Sequence, residues 1–253
     1  MTLPQKMSGV VLTGHGGLEM LEWRDDLTVP TPGKGDVIVR VSAAGVNNTD
    51  INTRLAWYSK GDGDADDATW SGAPIAFPLI QGIDVCGQIV ATGEGVDPKR
   101  IGEQVLIEPC LLEANGERLK TPWFLGSECN GGFADYTRVA SRHAYRIVSD
   151  LTDAQLASFP CSYSTAENML TRTNVGPDDT VLITGASGDV GLDRRLFDAK
   201  LYRRRCIRPC VVGRARNICG DRIRRCRLCC HSTGPRQRGH SDCRHKPVKS
   251  RDS

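Results

Sequence analysis

The sequence predicts a mixed fold: an all-β barrel module over residues 1–150, the opening of an α/β domain over 151–191, and a tail over 192–253 that belongs to neither. Three observations carry this reading. Residues 8–148 alternate short β-branched runs with Gly and Pro turns. Residues 180–191 (TVLITGASGDVG) are an apolar strand running into three glycines at three-residue spacing. Charge then changes abruptly: residues 192–253 hold 19 Lys and Arg against 5 Asp and Glu, a net of +14, whereas residues 1–191 carry a net of −11. The formal +3 of the 253-residue chain describes neither part.

The elements follow in order. SGVVLTG (8–14) and DVIVRVSAAGV (36–46) are β-rich, the second nearly all apolar or small and so a central strand, with turn chemistry (PTPGKG, 30–35) between them. GQIVATGEGV (87–96) and QVLIEP (104–109) are two further strands, and Gly102 makes the turn between them. GGFADYTRV (131–139) and AYRIV (144–148) complete the barrel. The Gly/Asp-rich segment 59–73 reads as a solvated loop; its acidic residues do not fit a calcium-loop spacing. Thr152 and Gln155 have capping-box spacing for a short helix that Pro160 would end, and STAENMLTRTN (164–174) reads as a second helix.

Gly185, Gly188 and Gly191 follow directly on the strand, with Val190 among them. Such a loop lets the backbone approach a pyrophosphate that sits on the N-terminus of the next helix. A ligand-free β–α turn is the alternative, and Asp189 would repel a phosphate unless its carboxylate points to solvent.

Five blocks in order then carry a family resemblance: PTPGKGDVIVRVSAAGVNNTDIN, FPLIQGIDVCGQIVATGEGV, IGEQVLIEP, NGGFADY and TVLITGASGDVG. Over about residues 8–191 the chain resembles the medium-chain dehydrogenase/reductase superfamily. The resemblance implies a GroES-like β-barrel catalytic domain (1–150), linker helices and the start of an NAD(P)-binding Rossmann domain (151–191), and a nicotinamide cofactor, NADPH or NADH. In the zinc-dependent alcohol dehydrogenases of this superfamily, the three catalytic-zinc positions fall here on Asn47, Ile83 and Cys161. Zinc needs about three protein ligands in a catalytic site, so no zinc is expected, and the cysteines of a structural zinc lobe are missing as well.

What remains resembles the quinone oxidoreductase and enoyl reductase branches, which pass a hydride to a quinone or an activated C=C. The developing oxyanion then needs a hydrogen-bond donor in place of a metal. The resemblance puts the catalytic tyrosine of the enoyl thioester reductases on Tyr58 in NNTDINTRLAWY, with Asn48 and Thr49 able to line the same pocket. Each has a plain structural alternative: a packed aromatic for Tyr58, a helix cap for Asn48 and Thr49. Thr165 falls on a position that touches the nicotinamide, or is a hydroxyl at a helix start. Asp84 and Cys86 are expected to pack at the domain seam. The implied partners are a small carbonyl or quinone substrate and, for intact relatives, a second copy in a homodimer.

The tail departs from this pattern. Residues 192–253 contain 16 Arg, seven of the chain's 11 Cys, and no Glu, Met or Trp. A doubly wound sheet would continue here with an apolar helix and a strand ending in an acidic cofactor selector. An out-of-frame reading enriches Arg, Cys, Pro and His together and is the expected origin of this tail. The chain itself is then expected to bind cofactor poorly and to be inactive. A zinc site and a basic nucleic-acid-binding arm on a non-enzymatic GroES-like module are the alternatives, although the cysteine pairs lack matching partners and no aromatic platform accompanies the arginines. No signal peptide, membrane span or specific nucleic-acid partner is expected, and the four scattered cysteines of the body suit a reduced, cytoplasmic location.

Overall fold

The computed structural model describes residues 3–58 and 74–175. Ten strands and three α-helices run in the order β1 (Lys6–Leu12), β2 (Leu21–Thr28), β3 (Asp36–Gly45), α1 (Asn48–Arg54), β4 (Leu79–Ile80), β5 (Asp84–Thr92), β6 (Gln104–Ile107), β7 (Cys110–Ala114), β8 (Glu117–Phe124), β9 (Tyr136–Ala140), β10 (Ala144–Arg146), α2 (Asp153–Leu156) and α3 (Pro160–Arg172). The expected glycine loop, with Gly185, Gly188, Val190 and Gly191, lies outside the described residues, as do the 59–73 loop and the tail.

A five-stranded antiparallel sheet, in the order β10-β6-β5-β3-β9, forms the wall of the barrel. β3 and β5 are its long central pair because their apolar runs are buried on both sides. Val37, Val39, Val85, Ile89, Val105, Ile107 and Val139 form the main core cluster. Register shifts at Ile38/Val39 and Val41/Ala43 bend this pair, so the sheet curls rather than lying flat. A second sheet, β2-β1-β4, closes one side. It is stitched to the first where Val10 N–H donates to the Phe133 carbonyl (2.7 Å) and Asp135 N–H to that of Ser8 (2.9 Å). The barrel expected from the sequence is therefore present, and Gly102 turns between β5 and β6 at φ +93°.

Three local expectations need correcting. The PTPGKG turn leads into β3 as read, but a strand that was not read, β2 (LEWRDDLT), lies between it and β1. Its mostly exposed, charge-rich face removes the apolar alternation by which a strand is read. The β7–β8 hairpin was not foreseen, yet its tip is Asn115-Gly116, both at positive φ (54° and 75°), a standard two-residue turn signal. Pro160 does not end α2. It occupies the first turn of α3, where its missing N–H costs nothing, and α3 therefore starts four residues earlier than expected. The Thr152/Gln155 capping box forms as read.

The hairpin is anchored by His143, which is 1% exposed. Its Nε2 accepts from Leu112 N–H (3.0 Å), so Nδ1 carries the proton and donates to Glu108 (3.2 Å). That bond holds the Glu108 carboxyl below its usual range.

Ile89 lies at the centre of the main core with no exposure. Ile89→Ala is expected to lower the unfolding free energy by ~2–5 kcal/mol and Ile89→Val by ~0.5–1.5 kcal/mol. Urea titrations followed by tryptophan fluorescence would check both. Near-equal small losses would show that this position is not packed as described.

Candidate active site

The β3–β5 register runs from Val37↔Thr92 to Gly45↔Asp84, which brings the end of β3 and the start of β5 together. The chain leaves β3 through Asn47 into α1 and enters β5 through Gln81-Gly82-Ile83, so residues far apart in sequence meet at this end of the barrel. Gly45 and Gly82 permit the approach. A Cβ on Gly45 would stand 2.7 Å from the Ala157 carbonyl, and Gly82 takes φ +108° against Phe133.

Asn47, not Asn48 or Thr49, caps α1. Its side chain accepts from Thr49 N–H (3.0 Å), and Asp50 returns the bond by accepting from Asn47 N–H (2.9 Å). The Asn47 amide also donates to Asp84 (3.1 Å). Asp84 is 3% exposed. Its other oxygen accepts from Cys161 N–H (2.6 Å), in the first turn of α3, which has no side-chain cap of its own. One carboxylate thus ties the α1 cap to the α3 N-terminus, where helix polarity favours negative charge.

Asp50 is also buried. Gly82 N–H donates to its second oxygen (3.1 Å), and Gln81 Nε2 donates to its carbonyl (2.9 Å). Desolvation outweighs these bonds, and with Asp84 nearby its carboxyl is pushed up to about 6. Burial likewise pushes the Cys161 thiol up to about 12; Asp84 and Asp50 add to the rise, while the Thr49 hydroxyl tempers it.

Of the residues expected at the site, Thr49 and Thr165 therefore meet at Cys161. Thr165 is in the second turn of α3 rather than at a helix start, and its hydroxyl donates to the Cys161 carbonyl (2.7 Å). Asn48 is exposed in the first turn of α1. Tyr58 is half-buried just past α1, stacked edge-on with Trp57 (5.5 Å) and accepting a long bond from the Asn52 amide (3.4 Å). Cys86 packs with Leu156 and Ala157 and contacts Asp153 (3.5 Å), and burial pushes its thiol up to about 12. Asp84, expected at the domain seam, lies between the barrel and α3, whereas the buried carboxylate of Asp50 was the feature least visible in the sequence. The Asn-x-x-Asp capping-box spacing at 47–50 was the available signal for Asp50.

The donors do not suit a catalytic zinc. Asn47 is committed to Thr49 N–H and Asp84, Ile83 has no donor atom and is 2% exposed, and Cys161 is then one ligand where about three are needed. Among the described residues, no three His, Cys, Asp or Glu side chains come together as a metal group.

A curled antiparallel barrel followed by two helices is the architecture of the GroES-like domain. Residues 33–149 match the family of the alcohol dehydrogenase GroES-like domain. The chain is 30% identical over 187 residues to a quinone oxidoreductase of Homo sapiens, covering 74% of this chain and 47% of that protein. It is 29% identical over 175 residues to an NAD-dependent alcohol dehydrogenase of Sulfolobus acidocaldarius, covering 66% and 48%. A solved candidate alcohol dehydrogenase of Sinorhizobium meliloti 1021 superposes with a TM-score of 0.69 at 41% identity, covering 78% of this chain and 55% of that one. The chain belongs to the medium-chain dehydrogenase/reductase superfamily, a family of oxidoreductases, and spans about half the length of the curated relatives it matches.

Two measurements test this geometry. The folded state holds the Asp50 proton more tightly than the unfolded chain, whose carboxyl titrates near 3.8. Its contribution to stability is therefore full below that value and is lost as pH rises through about 6. Wild type should lose up to ~3 kcal/mol across this window relative to Asp50→Asn in parallel urea titrations; identical pH profiles would refute the burial. Separately, among the described cysteines, Cys110 should react first with iodoacetamide at pH 8. Cys86, Cys129 and Cys161, all held near 12, should react roughly tenfold or more slowly by peptide mapping.

Proposed function

We propose that this domain serves an NAD(P)H-dependent reductase that delivers hydride to a quinone or an α,β-unsaturated carbonyl without a catalytic zinc. The observation that carries the reading is the donor set at the three positions a zinc would need: a capped amide, an isoleucine and a single thiol. The nicotinamide cofactor, as NADPH or NADH, would supply the hydride. It is supported by relatives described as NAD-dependent and as NADPH-dependent.

This chain's own residues would supply position and hydrogen bonds. Thr49 and Tyr58, with Asn48 at the rim, are the donors for the oxyanion that grows as hydride arrives. Thr165 has already given its hydroxyl hydrogen to the Cys161 carbonyl. It is left with oxygen lone pairs to accept from a carboxamide, which suits a residue beside the nicotinamide. Gly185, Gly188, Val190 and Gly191 are the proposed pyrophosphate loop. Residues 1–150 form the catalytic domain and 151–191 lead into the cofactor domain. Residues 192–253, basic and without the apolar pattern of a second βα unit, do not supply the rest of it, so the chain alone should show little turnover. The substrate is a small molecule, the setting cytoplasmic, and the intact relative a homodimer. Among the described residues, no helix is long and apolar enough to cross a membrane.

The test joins residues 1–175 to the cofactor domain of the human quinone oxidoreductase and follows NADPH oxidation with a benzoquinone and an enone. Turnover that survives chelation, with less than about one metal in ten chains, is expected. Tyr58→Phe should lower kcat by about 10²-fold. Turnover that requires stoichiometric zinc would overturn the reading, and an unchanged Tyr58→Phe rate would remove Tyr58 from the mechanism. Resequencing the coding DNA through the Gly188–Asp193 codons tests the tail: another frame should continue with an Ala/Val/Leu helix, and its absence would make the basic segment the protein's own.

A further inference from the structure

We propose that the cavity between β1, β2 and β9 is a second binding site, for a small amphipathic anion with a carboxylate head and a short apolar tail. The cavity measures about 330 Å³, within the size range of small-molecule pockets, and none of its lining residues belongs to the Asp84 site. One wall is apolar: Met7, Val11, Leu27 and Ile80. These residues belong to the core cluster beneath the smaller sheet, so the wall is packed from behind rather than being a surface crease.

The polar side is distinct. Thr137 lines the cavity at 2% exposure, and its Oγ1 has no hydrogen-bond partner among the described residues. A buried hydroxyl left so is uncommon and marks a place for a guest acceptor or donor. Arg24 and Arg138 also line the cavity. Each faces a carboxylate of the protein, but neither is used up. Arg24 gives Nε and one terminal nitrogen to Asp26 at 2.9 Å, which engages one edge of a guanidinium with five N–H donors. Arg138 Nε lies 3.6 Å from Asp36, too far for a full hydrogen bond. Two guanidinium edges, an unpartnered hydroxyl and an apolar wall suit a carboxylate with a hydrocarbon tail. An ammonium head brings only N–H donors, which the spare guanidinium donors cannot bind.

The test uses the full chain with octanoate, octan-1-ol and octylammonium as probes, and reads the modification rate of Cys129, which lines the cavity. Methyl methanethiosulfonate labelling with peptide mapping separates this site from anions held on the basic tail. Octanoate should slow Cys129 labelling fivefold or more and leave Cys110 unchanged, octan-1-ol should protect weakly, and octylammonium not at all. Arg24→Gln should raise the octanoate concentration for half protection about tenfold, and Val11→Phe should abolish protection by filling the wall. If Arg24→Gln does not unfold cooperatively, salt decides: 0.5 M NaCl must weaken protection by octanoate and leave octan-1-ol unaffected. No protection by octanoate, equal protection by octan-1-ol or octylammonium, or protection insensitive to both Arg24→Gln and salt would overturn the proposal.

Discussion

The arrangement at the barrel's end depends on one buried carboxylate. Asp84 begins β5, is nearly inaccessible, and faces the Asn47 amide with one oxygen and the Cys161 N–H with the other. An apolar seam between barrel and helices would hold by area alone and could slide. Two directed bonds from one rigid group cannot slide without leaving a buried charge unpaired, which costs more than the bonds contribute. The α1 cap and the α3 N-terminus are therefore set relative to each other by a side chain of the sheet. Thr49 and Thr165 take their places at Cys161 as a consequence.

Much of this fold was legible in the sequence, and the parts that were not share a cause. β3 and β5 could be read because burial on both faces leaves them little choice but Val, Ile and Ala. β2 could not, because its row of charged residues faces solvent and only its pairing with β1 makes it a strand. Edge strands are held by their neighbours more than by their own composition. The β7–β8 hairpin was different: its Asn-Gly tip was in plain view, and the charged residues around it masked the alternation. Pro160 has two structural meanings, helix end and helix start, and only the packing of α3 on the barrel chooses between them.

The site was less legible than the fold for a related reason. The resemblance placed Asn48, Thr49 and Tyr58 at one pocket; α1 carries the first two, with Tyr58 just beyond its end. It did not show that Asn47 is the cap, because a run of Asn-Asn-Thr-Asp offers four candidate capping side chains and the choice rests on where β3 releases the chain. Nor could it show that Asp84 and Cys161, 77 positions apart, are in hydrogen-bond contact. Contacts of that range come from topology, and the β3–β5 register is what makes this one.

The electrostatics of the cleft constrain any chemistry done there. The Cys161 thiol acts as a meter of the local potential: burial first, then Asp84 and Asp50, keep it from ionising. The same two carboxylates would oppose an oxyanion growing nearby, since like charges in a poorly hydrated site repel strongly. A metal could outweigh that field, but Asn47 and Ile83 leave Cys161 as one ligand where about three are needed. Two features ease the conflict. Asp84 is balanced by the Asn47 amide and the polar start of α3, so part of its charge is already answered. Asp50, pushed up to about 6, gives up its charge more readily than an ordinary carboxyl as pH falls. What remains must be met by neutral donors at short range, and Thr49 is the hydroxyl that the fold brings to that point.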